Sequence, residues 1–532
     1  MTIVKRMSFI LLASTACVAL SACDGADSVG SPGEGVIVVP ATPTPSPTPS
    51  PTPTPTPGTP ATSCPTGTTD VGIIGNYRSC RLPSAITSAL SLPKVAGVAY
   101  EINGRVDVGV DVGGAGTALG GIPTTLTIAA GSLIYANTTN SDNDFMVVNR
   151  GSKLIAEGTE TQPIIFTAQA NLTGGVNDES QGLWGGIILA GRAPISNCNT
   201  TVPGGNAACE NVVEGTSTAL YGGATPTDSS GTVRYVQIRY SGTVISPNNE
   251  LQGLTLGGTG SATVLDHIQI HNSSDDGIEI FGGRSNLRYL AITGADDDGL
   301  DTDVGWQGFV QFVLAIQKPT NTTGDNYSTE IDSNNNEDAL PRQRYNLANF
   351  TFVQTSTATN AAIRLRGGAD AVFVNGIVSN PGGACLNVIA GADAGGKTTI
   401  RPANAALEDN GPPVFNSVVF SCTTPYAETA VNGITVTTAE QQALFRAGSN
   451  NTEAAAAGSV LTGTFLPAGV ASTTTAFNAS TLNPSGTAFL VNTSYVGAVN
   501  GSTDTWYRGW TCNSNRANFG TTSSACTALP TS

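Results

Sequence analysis

The segment Asp275-Asp276-Gly277-Ile278-Glu279 returns 22 residues later as Asp297-Asp298-Gly299-Leu300-Asp301, with the chemical type kept at every position. A fixed offset in the twenties marks a solenoid, in which one repeat cannot bury its apolar face alone and stacks on the next. Around the pair lie strand-like runs, Leu254–Gly258, Ile278–Gly283 and Ile363–Gly368, that read as rungs of one ladder. The expected fold is an all-β solenoid of stacked parallel rungs, with coils of about 22 to 25 residues, terminal caps and loop insertions.

Alternation along such rungs turns Ile278, Ile280, Leu300 and Thr302 inward and Glu279, Asp301 and Asp303 outward. Carboxylates then stack on carboxylates. Parallel strands lie about 4.8 Å apart, and like charges at about 4 Å repel by roughly 1 to 4 kcal/mol between bulk water and a protein surface. Beyond Arg284 and Arg288 the neighbourhood offers little positive charge. A hard cation with oxygen ligands, calcium first, answers that need, with Asp275, Asp276, Glu279, Asp297, Asp298, Asp301 and Asp303 as candidate ligands. The competing reading makes the Asp-Gly pairs turn formers and the acids solvated.

Charged residues make up only 12% of the chain while it holds 63 glycines, a balance closer to an extracellular solenoid than to a cytosolic enzyme. The net charge of -16 argues against nucleic acid and anionic lipid headgroups as partners. Residues 1–22 combine a basic start with an apolar run from Phe9 to Leu20, too short for a permanent span and fitting an export signal. The following Leu20-Ser21-Ala22-Cys23 resembles the lipobox of bacterial lipoproteins, which implies acylation of Cys23 and membrane anchoring there. Asp24 resembles an inner-membrane retention signal and leaves the choice of membrane ambiguous. Residues 23–63 read as a stalk: Pro40 to Pro60 alternates Pro with Thr or Ser, and 21 residues of polyproline II reach about 65 Å. Such reach favours display on the outer surface of an outer membrane, with the periplasmic face second.

Eight further cysteines, an even number in an exported chain, suggest disulfides, and pairing sequence neighbours gives Cys64 with Cys80, Cys198 with Cys209, Cys385 with Cys422 and Cys512 with Cys526. Residues 64–97 are expected to form an N-terminal cap, with a short helix over 84–92. The β-helix is expected over 98–424. An irregular insertion with a helix at Thr438–Ala447 follows over 425–490, then C-terminal strands and a cap over 491–532. Residues 193–231 read as a loop thrown out of the stack, and insertions on one face of a solenoid often form its binding rim.

Several runs, Gly151–Thr159, Pro163–Thr167, Trp184–Ile188 and the closing Trp506–Thr511, resemble those of secreted or lipid-anchored right-handed parallel β-helix proteins of Gram-negative bacteria. The resemblance implies a right-handed, single-stranded parallel β-helix and makes a TonB-dependent receptor a plausible partner. It says little about activity.

His267 and His271, the only histidines, alternate with Gln269 on what reads as a polar outer face near the acidic rungs. Outward Arg364 and Arg366 would follow Glu330 and Asp332 on the acidic face, an order that resembles pectate-lyase-like β-helices. The resemblance implies a calcium-dependent polysaccharide lyase with Arg364 as the candidate base. Trp306, after the acidic cluster, is the candidate sugar platform beside Glu330, Asp332, Arg364 and Arg366. Three functions compete: a calcium-stabilised surface β-helix binding glycan or a receptor without chemistry, the lyase, and a structural adhesin or surface-layer element.

Overall fold

The computed structural model describes residues 58–530 apart from 140–142, 247–248, 321–325, 334–335, 356–360, 392–395, 454–455 and 457. The expected export signal, Cys23 and nearly all of the expected stalk lie outside the described residues. Twenty-four strands hydrogen-bond into one continuous sheet. Apart from Thr69–Ile74, which pairs antiparallel with Tyr77–Arg81, they fall into three parallel rows that wrap a single core, so the chain is an all-β parallel β-helix. The first row stacks Phe145–Val148, Ile187–Ala190, Leu254–Gly257, Ile278–Phe281, Leu300–Asp303, Thr329–Ile331 and Ile363–Leu365 in order. The other two rows come from the two halves of long bent strands such as Val264–His271, Asn286–Thr293 and Gln307–Ile316.

A residue in the left-handed region makes each bend. Tyr235, His267, Tyr289, Phe312, Asn349, Asn375 and Ser417, with φ between 50° and 65°, occupy equivalent places in successive coils. Such a conformation costs an L residue about 1 to 2 kcal/mol. Ring stacking offsets part of it, since Tyr235, His267 and Tyr289 lie at successive centroid distances of 4.3 Å and Tyr289 meets Phe312 at 4.7 Å.

Inward positions fill the core as alternation requires. Ile278, Ile280 and Leu300 are fully buried with Leu254, Ile331 and Leu365 above and below them. Thr302 is buried too. All four disulfides join the sequence neighbours named above. The helix Thr438–Ala447 carries a full capping box, in which Thr437 and Glu440 satisfy each other's backbone N–H groups.

Elsewhere the structure departs from expectation. Residues 84–92 form two short strands, Ala85–Ile86 and Leu90–Leu92, because each finds a parallel partner in the next coil. Parallel stacking already begins at Tyr77–Arg81, inside the segment expected as a cap. Coil length is less regular than 22 to 25: stacked partners are 22 residues apart at Leu265 and Leu287 but 37 apart at Val310 and Leu347, since loops leave the corners.

Residues 491–530 form no strands. With the stretch from Thr475 they run back along the left-handed corner as a strap. Three amide side chains clamp it by pairing with both the N–H and the C=O of one strap residue: Asn375 with Phe477 (2.9 and 2.7 Å), Gln311 with Val491 (2.8 and 2.9 Å) and Gln269 with Cys512 (3.1 and 2.7 Å). Further on, Arg239 donates to the carbonyl of Cys526 (2.6 Å) and Tyr77 to that of Pro530. A carboxylate cannot donate. Gln269→Glu is therefore expected to lose the bond to the Cys512 carbonyl and to destabilise by about 1 to 3 kcal/mol in denaturant titration, while Gln269→Asn keeps the donor.

The same strap corrects the reading of the histidines. His267 lies at the bend inside the ring stack, and the left-handed residue there breaks the alternation that would have aligned it with Gln269. His271 is fully buried beside Thr293 (3.0 Å), and burial, with Arg239 and Arg516 nearby, pushes its pKa down to about 3. Neither stands in the row that carries the acids.

Candidate functional site

The outward positions of the first row change character along the helix axis. After Asp107, which pairs with Arg105, Val147 and Ile188 are apolar and covered by the insertion 193–231, whose Ile195, Val213 and Tyr221 pack onto them. Then come Thr255, Glu279, Asp301, Glu330 and Arg364, each the parallel partner of the one before. The two copies of the repeated phrase thus lie one above the other in register. Gly277 and Gly299 explain why the phrase contains glycine. A Cβ on Gly277 would lie 2.5 Å from the Ile292 side chain and 2.6 Å from the Gly299 carbonyl, and one on Gly299 2.7 Å from the Ser328 carbonyl. Gly277→Ala is expected to cost about 1 to 3 kcal/mol, read as a lowered thermal midpoint, by forcing the acid-bearing coils apart.

Five of the candidate ligands form two groups that share Asp276. Carboxylate oxygens of Asp275, Asp276 and Asp297 lie within 4.8 Å of one another, and so do those of Asp276, Glu279 and Asp301. Calcium binds oxygen at about 2.3 to 2.6 Å, so ligands on opposite sides of one ion stand about 4.8 Å apart; magnesium, at about 2.0 to 2.1 Å, would need a tighter ring. Asp276 also accepts from the backbone N–H of Asp298 at 2.8 Å, which fixes its orientation. The Oε2 atom of Glu279, a residue only 7% exposed, has no hydrogen-bond partner.

Asp298 and Asp303 fall outside both groups. Asp298 accepts from the Tyr327 backbone, and Asp303 from Val304 at 2.6 Å. Asp296, which directly precedes the second Asp-Asp pair, is held by Lys318 at 2.6 Å and by Gln181 at 2.9 Å.

Positive charge reaches only the far end of the ladder. Arg366 pairs with Glu330 at 2.9 Å and with Asp332, and Arg364 stands 3.7 Å from Glu330 while donating to the Tyr327 hydroxyl at 2.9 Å. Arg288, which the sequence offered as a counter-charge, turns to Asp266 on another row. Burial, reinforced by neighbouring acids, raises the pKa values of Asp276, Glu279, Asp301 and Asp303 well above the usual carboxylate range. Asp275 is pushed up to about 7, by burial first and then by Glu250.

Three neighbours carried no signal in the sequence. Glu214, brought in by the insertion, is raised to about 7 by burial and by Asp275. Gln252 donates to Glu214 at 2.7 Å and to Asp275 at 3.3 Å. Tyr327 holds Arg364. Nothing local marks Glu214, because its role arises from where a long loop lands. Trp306, the expected platform, is fully buried: its indole donates to the Ser285 carbonyl at 3.1 Å and packs against Tyr345. It sits just past the turn that ends Leu300–Asp303, where the chain dives into the core.

These shifts fix a pH dependence. Folded pKa values above the unfolded value of about 4 make a contribution that is full below that value and is lost as the pH rises through the folded values. In chelator the melting temperature is expected to fall between pH 5 and pH 8, across the titration of Asp275 and Glu214, and saturating calcium is expected to flatten that slope.

Comparison with known proteins supports the parallel β-helix. Neither a curated protein nor a solved structure matches the chain. Residues 116–511 match the pectate-lyase-like beta helix domain, a span covering every rung of the acidic row, and the chain belongs to that family.

Proposed function

We propose that the chain is a surface-anchored, calcium-stabilised β-helix lipoprotein that binds extracellular glycan, or an outer-membrane receptor, on its acidic row. The observation that carries the reading is the in-register stack of Glu279 on Asp301 with Asp276 shared between two carboxylate groups. Desolvated like charges at that spacing favour a bound cation over an apo state at neutral pH. A glycan then completes the coordination through its own oxygens, which suits an acidic polymer meeting an acidic protein. Tethering through Cys23 and the Pro/Thr stalk would hold the row clear of the membrane.

The test is binding of polygalacturonate to immobilised protein in calcium and in chelator. Calcium-dependent retention, lost in Asp301→Asn, is the expected result; equal retention in chelator would remove the cation from the account.

A second reading, the polysaccharide lyase, has in its favour that Arg364 follows Glu330 in the same outward row. Its contacts with Glu330 and Tyr327 oppose it, since a guanidinium held by a carboxylate is kept protonated and cannot act as a base. Rising absorbance from unsaturated product on polygalacturonate, lost in Arg364→Ala, would favour it.

A further inference from the structure

Arg284 opens a second question. It follows Gly282-Gly283 at the turn that ends Ile278–Phe281, and its Nη1 donates to the carbonyls of Gly283 and Gly305, the latter at 3.1 Å. Those bonds fix the guanidinium, and among the described residues Nε and Nη2 have no protein acceptor. Among the described residues no carboxylate stands at ion-pair distance from it. The group borders an open pocket of about 640 Å³, within the size range of small-ligand sites, with Pro194, Pro203, Leu340 and Pro341 on the walls and Glu408 on the rim.

The walls are built before any ligand arrives. A Cβ on Gly204 would lie 1.9 Å from the Leu340 carbonyl, and one on Gly305, at φ +85°, 2.4 Å from the Pro341 carbonyl. The Cys198–Cys209 disulfide closes the loop that carries Pro203 and Gly204. Burial lowers the pKa of Arg284 to about 10, and Glu408 only partly offsets this, so the cation is under-compensated.

We propose that this pocket is a second binding site, in which the Arg284 fork takes the carboxylate of a hexuronate-sized sugar acid and Glu408 accepts hydrogen bonds from its hydroxyls. A planar fork matches a carboxylate in two parallel bonds. A phosphate, with its greater charge, would meet repulsion from Glu408. An uncharged sugar would leave the guanidinium desolvated. The site needs no metal, and so it stands apart from the cation-dependent reading of the acidic row.

The test is calorimetric titration of D-galacturonate into the chain in chelator, with D-galactose as control. Saturable binding of galacturonate, at least tenfold tighter than galactose, is expected. Arg284→Gln is expected to weaken it at least tenfold. So is Leu340→Trp, which narrows the pocket while leaving Arg284 in the chain and decides the matter should Arg284→Gln fail to fold. Asp276→Asn leaves it unchanged. Equal affinity for galactose, no saturable binding, or binding retained in both pocket variants would overturn the proposal. Loss in Asp276→Asn would also overturn it, by assigning the sugar to the acidic row.

Discussion

Asp276→Asn is expected to abolish most of the thermal stabilisation that we propose calcium gives the wild-type chain. Asp276 contributes to both carboxylate groups, so this one isosteric change would weaken both proposed ion sites at once, while Asn still offers an oxygen to the Asp298 N–H. An ion present at a hundredfold its Kd adds about 2.7 kcal/mol. Two ions then add about 5 kcal/mol, or about 5 °C for a cooperative unit of this size. Differential scanning calorimetry of both proteins in calcium and in chelator measures it. The expected pattern is a shift of about 5 °C in the wild type and less than about 2 °C in the variant, which should be no less stable than the wild type in chelator, since Asn buries no ionisable carboxyl group.

The second large effect lies far from the acids. Trp510→Ala is expected to cost about 3 to 5 kcal/mol, because the ring is fully buried against Tyr235 and His267 at centroid distances of 6.0 and 5.4 Å and its loss leaves a cavity beside the left-handed corner. Its indole also donates to the Trp506 carbonyl. Truncation before Thr475 goes further: it strips the strap from Gln269, Gln311, Asn349 and Asn375 together and leaves their amides and the ring stack exposed. The expected outcome is a chain that no longer melts cooperatively. A loss below about 1 kcal/mol in Trp510→Ala, read from urea titration, would contradict the role given to the strap.

Sequence periodicity carried the acidic row well. The 22-residue offset and the alternation both demanded in-register stacking, and Glu279 does pair with Asp301. Local rules at successive positions agreed there, which is when a sequence is most readable. Trp306 was misread because a large aromatic after a turn looks the same whether the chain stays outside or enters the core; only the register of the next strand, Gln307–Ile316, decides. Gln269 and Gln311 were illegible for another reason. Outward amides on a strand look solvated, and their partners at Cys512 and Val491 lie 243 and 180 residues away. Glu214 was hidden in the same manner, at the end of a loop whose landing place depends on the apolar patch formed by Val147 and Ile188.

The cation account meets its most direct test in a calorimetric titration of calcium into chelator-treated protein at pH 7.5. It predicts two bound ions per chain in the wild type, at most one weakly bound ion in Asp276→Asn, and proton release on binding, because Asp275 and Glu214 titrate near 7. A titration with no saturable heat in the wild type, or one identical in the variant, would contradict it.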